Sequence, residues 1–118
     1  MSPGLSEKEK ALYQMHAEIC KVFTNPKRLE IIDLLREGEK SVGEISASTG
    51  LGQSNVSQHL TVLREKGVVY PRREGNSIFY SIANPKIFDA CRLMREVLLE
   101  RFDEEKLLAT AAKRRMEA

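Results

Sequence analysis

No run of about 18 apolar residues occurs anywhere in this 118-residue chain, so nothing in it is built to span a membrane. An apolar leader is missing too. The first ten residues, MSPGLSEKEK, are polar and no hydrophobic stretch follows them, so secretion is not expected and the cytoplasm is. Cysteine is scarce, with two residues, too few for a disulfide scaffold and in keeping with a reducing compartment. Charge of one sign is also lacking. Nineteen basic against 17 acidic side chains leave a net +2, far from the block of charge that a histone-like binder carries, so any nucleic-acid surface must be local. There is no Gly-rich phosphate loop, no plausible Ser/His/Asp set and no framed pair of carboxylates, so no catalytic residue, cofactor or enzyme activity is expected. What is present is a chain of ordinary single-domain length, able to bury about two-thirds of its extended surface around one core.

Residues 1–6 read as a loose start, with Pro3 and Gly4 opposing helix. Ser6 and Glu9 fit a capping box, and Leu12, Met15, Ile19, Val22 and Phe23 then recur at helical spacing. Asn25-Pro26 opens a second helix with Leu29, Ile31, Ile32, Leu34 and Leu35 on a broad apolar face, and Gly38 ends it. A short third helix fits 43–49, with Ser41 as a cap and Ile45 inward. After the turn Gly50-Leu51-Gly52, a fourth runs from about Ser54 to Lys66 on the stripe Val56, Leu60, Leu63. The period then shifts toward 2. Val68–Arg73, a turn at Glu74-Gly75-Asn76, and Ser77–Ile82 make a β-hairpin whose Pro71 belongs on an edge or at an interruption. Asn84-Pro85 starts a last helix to about 101, with Ile87, Cys91, Met94, Leu98 and Phe102 as its stripe, and a charged, Ala-rich tail at 103–118 is expected to fray.

The unit at 43–82 carries the functional signal: helix, tight turn, helix, hairpin. That is the helix-turn-helix layout, in which the second helix enters the DNA major groove, followed by a wing. With Val56, Leu60 and Leu63 inward, the fourth helix turns Ser54, Ser57, Gln58, Thr61 and Arg64 outward, with Gln53 at its edge and Asn55 on its flank. From Gln53 through Val62 there is no Asp, Glu or Lys. Short hydroxyls and amides suit base edges and phosphate oxygens, where a carboxylate would be repelled. The plain alternative is a tolerated polar surface. Arg72 and Arg73 add a basic hairpin that fits the DNA backbone, or else a charged edge that blunts aggregation. The expected fold is mainly α with a small β-hairpin, a winged helix-turn-helix of about five helices and a two-stranded wing, forming a single domain over 1–118. Helix-turn-helix and wing occupy 43–66 and 68–82.

Three stretches, FTNPKRLEIIDLLREGEKSVGEI, TGLGQSNVSQHLTVLREKGVV and RREGNSIFYSI, resemble the ArsR/SmtB family of small winged-helix repressors over roughly residues 20–100. The resemblance implies a homodimeric transcriptional repressor on double-stranded DNA. The long helices at about 7–24 and 85–101 would form the dimer, and an inducer would release the operator. A two-fold dimer reads a pseudo-palindrome with half-sites about 10 bp apart or a multiple of that. The resemblance also places His59 near DNA, where a phosphate contact would be a modest pH-dependent term. Family metal positions fall on Ser41 and Gly43, and on Asn84, Lys86, Val97 and Glu100. Asp33 stands where thiol sensors keep a cysteine. These are not ligand sets, so no family-type metal site is expected.

Cys20 and Cys91 remain as candidate redox residues. Thiols on the two dimer helices could approach one another, and a disulfide needs Cα atoms within about 7 Å. Two small hydrophobes in a core are the alternative. His16, four residues before Cys20, is either a packing residue or, with Cys20 and Cys91, part of a soft-metal set. A winged-helix module for protein contact without DNA is the alternative function. It would put acidic or apolar residues on the fourth helix's outward face, and none is there.

Overall fold

The computed structural model describes residues 4–117; Pro3 of the loose start and Ala118 of the tail lie outside them. The described chain divides into two compact units between Asn84 and Pro85.

The first unit holds α1 (Glu7–Val22), α2 (Pro26–Leu34) with a 3-10 turn over Leu35–Glu37, β1 (Lys40–Ser41), α3 (Val42–Thr49), α4 (Gln53–Glu65), β2 (Val69–Glu74) and β3 (Ser77–Ile82). Side-chain caps set the helix starts. Ser6 Oγ accepts from the Glu9 N–H, and Asn25 Oδ1 from those of Lys27 and Arg28, with Pro26 already in helical geometry behind it. Ser41 and Glu44 form a reciprocal capping box at α3. Two left-handed glycines set the ends that matter for the site. Gly50, at φ +75°, closes α3, and Gly67, at φ +72°, closes α4, with the Val68 N–H folding back to the Leu63 carbonyl.

The sheet is antiparallel in the order β1-β3-β2. The expected two-stranded wing is therefore joined by a third, two-residue strand ahead of α3, too short to leave a period in the sequence. Pro71 sits on β2, an outer strand, opposite Tyr80 of the central strand. The core is Val22, Ile31, Ile32, Leu35, Ile45, Val56, Leu60, Leu63, Val68, Val69 and Tyr80. Each large side chain there contributes about 1.5–3 kcal/mol by leaving water. No polar residue is buried among the described residues. The α1 stripe is a different matter: Val22 is buried, but Leu12, Met15 and Ile19 stand exposed.

The second unit is α5 (Lys86–Glu117), one helix of 32 residues and so about 48 Å long. It continues through the tail that was expected to fray. Arg92 pairs with Asp89 and Glu96, and Arg101 with Glu105, at three- and four-residue spacing. Leu93, Met94, Val97, Leu98, Leu99, Phe102, Leu107 and Leu108 are exposed along it. No helix of the described residues is long and apolar enough to cross a membrane.

Candidate nucleic-acid interface

Helix α4 is set by its buried stripe. Val56, Leu60 and Leu63 have no exposed surface, which holds the opposite face to solvent along its length. Gln53, Ser54, Asn55, Ser57, Gln58, Thr61 and Arg64 are all exposed, as the spacing predicts. The first turn carries no acid, and the N-cap is Gly52, which has no side chain to occupy the free N–H groups. Thr61 Oγ1 donates back to the Ser57 carbonyl at 2.9 Å, so that hydroxyl is oriented by its own helix.

His59 lies half-buried at the edge of this face. Its Nδ1 accepts from Arg28 Nε at 3.4 Å, while Arg28 Nη1 donates to the Val22 carbonyl at the end of α1. Burial first, and the Arg28 charge second, push the imidazole pKa below its usual value of 6.5. His59 is thus neutral at ordinary pH, with Nδ1 as acceptor and Nε2 left to carry the proton. Lys66, just past α4, makes a second link to α1 by pairing with Glu18 at 3.5 Å. Glu18 is held below the usual carboxylate range by Lys21 first and then by Lys66.

The hairpin sorts its two arginines onto opposite faces, because strand side chains alternate. Arg73 opposes Ile78, is exposed, and makes no ion pair among the described residues. Arg72 opposes Phe79 and is fully engaged. Its Nε lies 3.2 and 3.0 Å from the two carboxylate oxygens of Glu39, Nη2 lies 2.6 Å from Glu39 Oε1, and Nη1 lies 3.0 Å from Glu74. Glu39 is held below its usual range by that hydrogen bonding, and Arg72 is raised above its own. An open groove of about 430 Å³ runs between α4 and the wing, lined by Ser41, Gly43, Gln53, Ser57, Asn76 and Ile78 among others.

Cys20 is exposed and Cys91 half-buried, so Cys20 is not the buried hydrophobe that one reading of the sequence expected. Among the described residues no three His, Cys, Asp or Glu side chains gather to hold a metal ion. Two residues join the site without a signal in the sequence, Arg28 and Glu39. Their partners lie 31 and 33 positions away, and no local spacing announces them.

The model for bacterial regulatory proteins of the arsR family matches residues 25–70. The HTH-type transcriptional regulator Rv0081 of Mycobacterium tuberculosis is 48% identical over 88 residues, spanning 74% of this chain and 77% of that protein. The chain belongs to the ArsR family. The crystal structure of Rv0081 superposes with a TM-score of 0.73 at 43% identity, covering 80% of this chain and 95% of that one. The solution structure of a homodimeric winged helix-turn-helix DNA-binding domain, Mb0332 from Mycobacterium bovis, gives 0.76 at 33% identity, covering 87% and 95%. A biofilm growth-associated repressor of Xylella fastidiosa is 44% identical over 70 residues, 59% of this chain and 61% of that protein. This ArsR-family chain is therefore a transcriptional regulator with a DNA-binding winged helix-turn-helix, and not an enzyme.

Proposed function

We propose that the chain is a homodimeric, sequence-specific DNA-binding repressor that reads a pseudo-palindromic operator. The observation that carries the reading is the outward face of α4, exposed throughout and free of carboxylates from Gln53 to Arg64. Ser54, Ser57, Gln58 and Asn55 offer donors and acceptors to base edges, and Gln53, Thr61, Arg64 and the Nε2 of His59 offer contacts to the backbone beside them. Arg73 presents its charge from the wing. The relatives named as a repressor and as a homodimeric DNA-binding domain support the same reading.

Dimer formation is supported by the apolar side chains left exposed on α1 and on α5. A soluble monomer rarely leaves such stripes uncovered, and a second copy of the chain would cover them. In this reading the operator is released by an inducer or by oxidation of thiols. Cys20, exposed on the single chain, is the thiol that the oxidation route would use.

The test is a gel shift with duplex DNA from upstream of the chain's own coding sequence, at two salt concentrations. Specific binding that weakens steeply with salt is expected, as counterions are released from the phosphates. Absence of any shift at low salt would leave the protein-contact module as the better reading. A reporter behind the same DNA should rise when the gene is deleted, and a fall would reverse the sign of regulation.

A further inference from the structure

Arg72 lies on a row that crosses the whole sheet. It opposes Phe79 on β3, and Phe79 opposes Ser41 on β1, so the three side chains share one face. Its guanidinium carbon sits 5.0 Å from the centre of the Phe79 ring, within cation–π range. Beyond the ring it forks onto both oxygens of Glu39, two residues ahead of Ser41, and Nη1 turns back to Glu74 on its own strand. All three guanidinium nitrogens are engaged. The clamp joins the outer strand of the wing to the segment that carries the N-cap of α3, the first helix of the helix-turn-helix.

Two consequences bear on DNA. One guanidinium between two carboxylates leaves that face of the hairpin with a net negative charge, which repels phosphate. A phosphate reaching Arg72 would also have to displace a bidentate carboxylate, the strongest arrangement an exposed arginine makes. An isolated exposed ion pair restrains little. This one is bidentate, stacked on a ring and shared with a second acid, so it fixes direction as well as proximity. Arg73, on the other face, neighbours Ile78, which lines the groove with Gln53 and Ser57.

We propose that Arg72 is the positioning residue of the wing and not a DNA contact. By holding the hairpin to Glu39 it sets the wing's angle over the groove, and of the two wing arginines only Arg73 then meets the DNA backbone. The proposal rests on the DNA-binding reading above and departs from the sequence-based expectation that both arginines touch DNA.

The experiment compares Glu39→Ala, Arg72→Ala and Arg73→Ala with the parent in the full chain. The probe is the same upstream duplex, titrated across a salt series. Arg73→Ala should make the slope of log affinity against log salt shallower by about one phosphate contact. Arg72→Ala should weaken binding with the parent's slope. Glu39→Ala is the decisive variant, because removing a negative charge near DNA tightens binding on charge alone, whereas loss of the clamp should weaken it severalfold. Unchanged or tighter binding by Glu39→Ala, or a slope for Arg72→Ala as shallow as that of Arg73→Ala, would overturn the proposal.

Amide hydrogen exchange without DNA supplies a second readout. Exchange in the hairpin should quicken in Glu39→Ala and Arg72→Ala but not in Arg73→Ala, and equal exchange in all four proteins would also sink the clamp. Should the parent not bind DNA at all, the reading of function fails, and the exchange comparison still decides the clamp.

Discussion

Arg28 Nε donates to His59 Nδ1, joining the first turn of α2 to α4 across 31 positions of sequence. The same guanidinium holds the Val22 carbonyl, so one side chain ties the end of α1 to α4. His59 should accordingly titrate below 6.5 in an NMR pH series, and Arg28→Ala should raise its pKa by removing the neighbouring charge, with burial still holding it down. The unfolded chain binds the proton first, so the contribution of neutral His59 is present above pH 6.5 and is lost as pH falls through the folded-state pKa. DNA affinity between pH 7 and 8 should be insensitive to this group. A His59 that titrates above 6.5 would mean that neither its burial nor its bond to Arg28 holds in solution.

Fold and readout should separate cleanly on α4. Leu60→Ala empties a site with no exposed surface and should destabilise by about 2–5 kcal/mol in denaturant unfolding. Gln58→Ala shortens an exposed side chain and should change stability by less than about 0.5 kcal/mol yet alter which operator variants bind best. Equal sequence preference for parent and Gln58→Ala would remove Gln58 from the reading face.

Gly50 tests the turn between α3 and α4. Nothing lies near the position a Cβ would take, so Gly50→Ala meets no clash and its effect is backbone strain alone at φ +75°. A loss of about 1–2 kcal/mol is expected by denaturation.

The uncovered stripes make a prediction about assembly. Met15 and Leu98 are 68% and 59% exposed. The parent should run as a dimer by light scattering, while Met15→Glu and Leu98→Glu should each shift it toward monomer with helix content retained. Dimers of unchanged affinity in both variants would place the interface elsewhere.

Thiol release is tested by comparing DNA affinity before and after mild oxidation, in the parent and in Cys20→Ser. A drop on oxidation in the parent alone supports the thiol route. Equal affinity throughout leaves a small-molecule or protein inducer as the signal.

Most of the first unit could be read from the residues, because its determinants are local. Ser41 ahead of Glu44, Asn25 ahead of Pro26, and the Val56, Leu60, Leu63 stripe each act within four residues. What escaped was of three kinds. A two-residue strand, Lys40–Ser41, is shorter than any period. The full length of α5 is not legible because its apolar stripe thins after Phe102, whereas Ala-rich, charged sequence sustains a helix without one. The Arg72–Glu39 and Arg28–His59 contacts are tertiary, and pattern in the chain does not encode which arginine of a pair faces an acid. Periodicity on α1 likewise marked an apolar face without saying what covers it.

Pro71 has a consequence for self-association. The outer side of β2 is an open sheet edge, where the strand of another molecule would add itself if a full row of N–H donors were offered. Proline removes one donor from the middle of that row, and the charged Arg72, Arg73 and Glu74 follow it. Growth strand upon strand is thereby interrupted at the wing, so the chain can keep a basic hairpin exposed without seeding fibres.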